Sequence, residues 1–262
     1  MSEDEFYAAV FSAAIALFMW FTWTSRIVRV KARHDVATSR RMVLFAPVVC
    51  GAIFVLLLRF FASFDVQEDV TYTFFYVAMG AAWVGVGARL MPFLGFCPRH
   101  DLVELGNHAV TPLVVGGLLA FTLAFTGGNI GDGPGWWVVV FASGIASVAL
   151  VVAWFLFDGL AALTDCATIE RDFAAGLRGG ALLLAFGLIF GRGAAGDYHS
   201  AEDTVVVFAS TTWPALVLLV AAVFLEWVAF KRVRSSMLLT GIVPSMLFVG
   251  AAAATLTSMG HW

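Results

Sequence analysis

Residues 136–157 read WWVVVFASGIASVALVVAWFLF, and the first charge after them is Asp158. A helix rises about 1.5 Å per residue, so about 20 apolar residues cross a hydrocarbon core of about 30 Å. This run predicts a membrane-spanning helix at about 136–158. Seven further runs of the same kind lie at about 7–27, 42–63, 71–93, 108–127, 173–191, 204–229 and 236–258. The runs at 71–93 and 204–229 are long enough to tilt. None shows the period-2 alternation of a barrel strand, and helices are the other structure that satisfies its backbone in lipid.

Composition agrees with this template. The 262 residues are 61% hydrophobic and 13% charged, against roughly 25% charged in soluble domains. A net charge of −3 with no basic stripe offers nothing to nucleic acid. The first residues, Met1-Ser2-Glu3-Asp4-Glu5, lack the basic segment of a signal peptide, so the first apolar run is expected to stay as a span. Cys50 lies in a span, while Cys97 and Cys166 lie in loops where reduced thiols are expected.

The loops sort by charge. Thirteen of the fifteen basic residues follow the first, third, fifth and seventh spans, among them Arg26, Arg29, Arg40, Arg41, Arg89, Arg99, Arg171 and Lys231. The opposite loops are acidic, with Asp65, Glu68, Asp69, Asp132, Asp197, Glu202 and Asp203. The positive-inside rule then places the odd-to-even loops in the cytoplasm and both termini outside. Trp136, Trp137 and Trp262 fall at the outer interface, where amphipathic rings are favoured.

The spans also repeat. Val138-Val139-Val140-Phe141-Ala142-Ser143 recurs as Val205-Val206-Val207-Phe208-Ala209-Ser210. Pro47-Val48-Val49-Cys50-Gly51 resembles Pro112-Leu113-Val114-Val115-Gly116, and Gly116-Gly117-Leu118 resembles Gly179-Gly180-Ala181. Arg33-His34-Asp35 pairs with Arg99-His100-Asp101. These matches predict one membrane domain, 1–262, of four tandem helical hairpins at about 1–66, 67–130, 131–198 and 199–262. Lipid gives helices little hydrophobic reason to associate, so small residues mark close packing. Gly176-x-x-x-Gly180, Gly116 and Gly51 therefore predict that the return helices form an inner packing ring, with the longer helices outside.

Asp172-Phe173-Ala174-Ala175-Gly176, followed by Gly179-Gly180, resembles the Asn-x-Ala-Ala-Gly helix start of the bacterial YjfL-type tandem-repeat inner-membrane family. Asn107-His108-Ala109 followed by Gly116-Gly117 is a second copy. That family is a domain-of-unknown-function family. The resemblance covers roughly 70–195 and implies a bacterial inner-membrane location, with no activity attached.

Ionisable residues within spans are the first functional candidates, because charge in hydrocarbon is costly. Arg59 and Arg192 lie near outer helix ends, from where they can snorkel. Arg89, Asp158 and Glu226 lie near inner ends, and Arg178 lies inside its helix between Gly176 and Gly179. A cluster of Arg178 with Asp158 or Glu226 is expected, acting either as a register-fixing ion pair or as a proton or ion relay. No cofactor is expected. The lysines Lys31 and Lys231 lie outside the spans, where a retinal Schiff base cannot form, and His108 shows no partner as a haem ligand. Gly127-Gly128-Asn129-Ile130-Gly131-Asp132-Gly133 does not follow a strand and is no nucleotide loop.

Two function classes remain. One is a non-catalytic subunit or scaffold of a membrane assembly, a homo-oligomer or a partner of other membrane subunits, among membrane lipids. The other is a small-ion or proton channel or transporter, with Pro214 and Pro244 as helix breaks. An enzyme is not expected.

Overall fold

The computed structural model describes residues 1–31, 36–133, 135–230 and 237–258. His34, His261, Trp262, Lys231, Arg232, Arg234 and the Arg33-His34-Asp35 motif lie outside them. The described chain is helical, and its β contacts are isolated bridges from Ala62 to Ile130 and Gly131.

Ten α-helices follow in order: α1 (Glu3–Val28), α2 (Ala37–Phe61), α3 (Phe64–Glu68), α4 (Val70–Leu90), α5 (Val110–Gly127), α6 (Trp136–Ala161), α7 (Leu163–Thr168), α8 (Phe173–Ala194), α9 (Ala201–Leu225) and α10 (Val243–Ser258). Three π-helical turns, Pro98–Glu104, Glu226–Phe230 and Leu238–Ile242, lie before α5, after α9 and before α10. Eight helices among the described residues are long and apolar enough to cross a membrane, at the positions the apolar runs predict. The chain is a multi-pass helical membrane protein.

Helix starts follow ordinary capping chemistry. Ser2 and Glu5 make a reciprocal capping box on α1. Asp69, Asp172 and Ser200 each accept a hydrogen bond from a first-turn N–H of α4, α8 and α9. Pro214 sits inside an unbroken α9, and Pro244 stands where the π-turn Leu238–Ile242 passes into α10, inside the single span Leu238–Ser258. Neither proline breaks a span.

The entry helices α1, α4, α6 and α9 form one row and the return helices α2, α5, α8 and α10 a second. The rows are staggered, so that α5 lies between α4 and α6, and α8 between α6 and α9. This corrects the expected ring. The return helices make a line with two ends, and burial falls away toward them. The α5 and α8 spans are 78% and 72% buried, whereas those of α2 and α10 are 28% and 33% buried. The core is therefore central, around Trp154, Phe157, Phe186 and Leu113.

Contacts between hairpins recur at nearly one interval. Trp20 Nε1 donates to Ala81 O, Trp83 Nε1 to Ser147 Oγ, Trp154 Nε1 to Leu94 O and Trp227 Nε1 to Leu160 O, spanning 61, 64, 60 and 67 residues. An indole N–H away from water needs a partner, and for these four the neighbouring hairpin supplies it, whether the ring is buried as Trp154 or exposed as Trp227; the buried Trp23 Nε1 finds none among the described residues.

Candidate functional site

Among the described glycines, the tightest contacts lie on the seam between α5 and α8, which run parallel. A Cβ on Gly176 would lie 1.8 Å from Ala109 O, one on Gly116 2.2 Å from Gly180 O, and one on Gly180 2.2 Å from Pro112 O. Toward the far end, a Cβ on Gly127 would lie 1.9 Å from Gly191 O. The obstacles are backbone atoms, so no side-chain rotation relieves them. Gly116, Gly176 and Gly180 thus pack as their spacing predicts. Gly51 does not: a Cβ there meets nothing within 4 Å, because α2 stands at the end of the row.

Both helices begin with the same device. Asn107 Oδ1 accepts from Ala109 N at 3.0 Å, and Asp172 Oδ1 from Ala174 N at 2.9 Å. The backbone N–H of each reaches six residues back, Asn107 to Asp101 O and Asp172 to Cys166 O, both at 3.0 Å. The residue before each is left-handed: Gly106 at φ 67° and Arg171 at φ 58°. Asn107 does more than its partner. It is buried, and its Nδ2 donates to Ala167 O at 2.8 Å and Thr168 O at 3.0 Å, tying α5 to the end of α7. The amide has both donor and acceptor, whereas the carboxylate of Asp172 can only accept.

Arg178 and Glu226 meet. Arg178 Nε lies 2.7 Å from Glu226 Oε1 and Nη2 lies 3.0 Å from Oε2, a two-pronged pair with both side chains buried. Arg178 Nη1 also donates to Thr240 O. The pair and its Thr240 contact therefore join α8 to the two π-turns that end α9 and begin the last span. Asp158 plays a different part from the one expected. Its Oδ1 accepts from Thr164 N at 2.8 Å and its Oδ2 from Thr164 Oγ1 at 2.5 Å. The α6 helix ends at Ala162, which is left-handed, and Asp158 caps the short α7 that restarts there. The carboxylate of the ion pair is Glu226.

His108 has a partner that the sequence did not disclose. Its Nδ1 lies 2.7 Å from Ser39 Oγ, at the start of α2. In the Pro98–Glu104 turn, Glu104 faces His100 at 2.9 Å and Arg99 at 2.8 Å, and these contacts, His100 first, hold its carboxyl below the ordinary range. Burial raises the Cys166 thiol, with Glu170 adding to the shift. Among the described residues, no three of His, Cys, Asp and Glu gather as metal ligands would.

Residues 65–193 match the family described as Domain of Unknown Function (DUF350). This agrees with the domain-of-unknown-function resemblance carried by Asn107 and Asp172, both inside the matched segment. The segment begins at α3 and ends in α8, so it holds the seam, Asp158 and Arg178, while Glu226 lies beyond it. No curated protein and no solved structure matches the chain.

Proposed function

We propose, for a membrane chain whose central segment is a domain of unknown function, that it serves as a non-catalytic subunit or scaffold of a membrane assembly. The observation that carries this is the α5–α8 seam. The two most buried helices meet backbone to backbone at both ends of the interface, which leaves no room for a polar conduit there. The row ends instead present apolar faces outward: Phe11, Phe18 and Phe45 on one side, Trp213, Leu216 and Phe224 on the other. Such faces suit lipid, a second copy of the chain or another membrane subunit. Four tandem hairpins are supported by the recurring tryptophan contacts and by the matching starts of α5 and α8. The charge asymmetry of the loops supports both termini outside and the odd-to-even loops cytoplasmic, and the resemblance at Asn107 and Asp172 supports a bacterial inner membrane.

The second reading, an ion or proton pathway, is favoured by one observation, the buried Arg178–Glu226 pair between two π-turns. Mass measurement of the protein in native-lipid discs separates the two, read beside ion flux in proteoliposomes. Assemblies larger than one chain with no flux support the scaffold. Flux that falls in Glu226→Gln supports the pathway and ends the scaffold reading.

A further inference from the structure

At the acidic end of the molecule, opposite the Arg178–Glu226 pair, lies a cavity of about 250 Å³. It sits where three entry helices begin and the α5–α6 loop passes them. Glu5 comes from the first turn of α1, Tyr72 and Tyr76 from α4, Asn129 and Asp132 from the loop, and Trp136 from the start of α6. The loop is tied from the next hairpin: Gly196 N donates to Ile130 O at 2.9 Å, and Asp132 N donates to Asp197 Oδ1 at 2.7 Å. Trp136 Nε1 donates to Asp4 Oδ2 at 3.2 Å, which holds that ring in place.

The charged groups of the lining are carboxylates. Glu5 Oε2 accepts from Ser2 N at 2.7 Å and from the Tyr72 hydroxyl at 3.4 Å, and Asp132 stands exposed. Among the described residues no lysine, arginine or histidine lines the cavity. Its most buried polar side chain is Asn129, which is 6% exposed. Asn129 Nδ2 donates to Phe125 O at 2.7 Å, a bond that only the amide nitrogen can make. Oδ1 is thereby turned away from that carbonyl, on the side of the cavity that Asn129 lines, and no donor among the described residues meets it. A buried acceptor left without a partner costs free energy that a bound donor would return.

The lining thus offers acceptors and no cation, beside three aromatic residues, and aromatic rings attract a cation that comes over their faces. A hard metal ion such as calcium takes about six to eight oxygens. Here the lining carboxylates are Glu5 and Asp132, and no three of His, Cys, Asp and Glu gather among the described residues. The volume lies just below the roughly 300–1,000 Å³ of a drug-sized site, so the occupant is small. We propose that this cavity binds one small protonated amine, whose N–H groups donate to Asn129 Oδ1 and to the Glu5 and Asp132 carboxylates. The site is independent of the scaffold reading and of the Arg178–Glu226 pair.

The test is titration calorimetry of the full chain in an uncharged detergent at neutral pH, with n-butylammonium, butyltrimethylammonium or calcium chloride as titrant. The wild type should bind one butylammonium per chain. The trimethyl probe has the same alkyl chain and charge but no N–H, so it should bind about ten-fold more weakly, the effect of one hydrogen bond to a charged group. Glu5→Gln and Asp132→Asn, which keep side-chain size, should each weaken butylammonium about three-fold, the effect of one partly exposed charge. Asn129→Leu should erase the preference between the two ammonium probes. If that variant fails to fold, the preference of the wild type reads the same contact. Absence of saturable butylammonium binding, equal affinity for the two ammonium probes, or calcium bound more tightly than butylammonium overturns the proposal. So does unchanged affinity in both Glu5→Gln and Asp132→Asn.

Discussion

Gly51 and Gly176 are both small residues in return helices, yet the structure assigns them opposite consequences on substitution by alanine. At Gly176 the new Cβ would lie 1.8 Å from Ala109 O, and at Gly180 2.2 Å from Pro112 O. Since contacts below about 3 Å do not occur, α5 and α8 must separate by roughly 1 Å. A gap of that size forfeits a quarter to a half of each dispersion contact along the seam. Overpacking of this kind costs about 1–3 kcal/mol. Alanine also returns up to ~1 kcal/mol of helix propensity, but it does so at Gly51 too, where nothing opposes it. The two groups should therefore differ by about 1–3 kcal/mol. At about 2–4 °C per kcal/mol for a chain of this size class, Gly116→Ala, Gly176→Ala and Gly180→Ala should melt roughly 3–10 °C below Gly51→Ala. The assay is size-exclusion of samples heated in one detergent. If Gly176→Ala and Gly51→Ala shift the midpoint the same way, the seam is not what holds the centre of the fold.

Glu226→Gln should cost about 3–5 kcal/mol, because it strands a buried guanidinium, while Arg178→Met with Glu226→Leu should recover most of that loss in a thermal double-mutant cycle. Asp158→Ala should cost about 0.5–2 kcal/mol through the lost cap on α7 and leave the coupling between Arg178 and Glu226 unchanged in the same cycle. Tyr198 is buried outside the spans, and its hydroxyl donates to Gly193 O at 2.9 Å, so burial pushes its pKa up to about 12 from an ordinary 10.0. Its contribution to stability is complete below pH 10 and is lost as the pH rises toward 12; tyrosinate absorbance should show one late-titrating tyrosine that Tyr198→Phe removes.

The positions of the eight spans were legible because hydropathy and loop charge are local quantities. What escaped was set by neighbours. Gly51 and Gly116 sit in matching sequence, but Gly116 has α8 beside it and Gly51 has the end of the row. A sequence window cannot tell a central hairpin from a terminal one, so the expected ring became a line. Asp158 and Glu226 were equally good partners for Arg178 by depth alone. The left-handed turn at Ala162 decided between them, by placing Thr164 over Asp158, and an alanine gives no warning of such a turn. His108 found Ser39 across 69 residues, a distance no local pattern reports. By contrast, Asn107 and Asp172 carried a motif whose chemistry is local, an Asx side chain capping its own helix, and that chemistry is present at both.

The step of 65 residues between Asn107 and Asp172 also clarifies the ion pair. Carried along the two helices, it sets Arg178 opposite Leu113, which is wholly buried. The second hairpin therefore folds with an apolar side chain where the third has a guanidinium. A charge at that site is not a requirement of the hairpin itself. What distinguishes the third hairpin is its neighbour: Glu226 and the Thr240 carbonyl both come from the fourth, outside the segment shared with the family. A cation that depends on the next hairpin for its counter-charge penalises any other neighbour, since a wrong one would leave it unpaired in hydrocarbon. The contacts between hairpins at Trp83 and Ser147, Ser39 and His108, and Arg89 and Thr22 pair no two charges, whereas Arg178 and Glu226 do, so that penalty favours the fourth hairpin as this neighbour and one register for it.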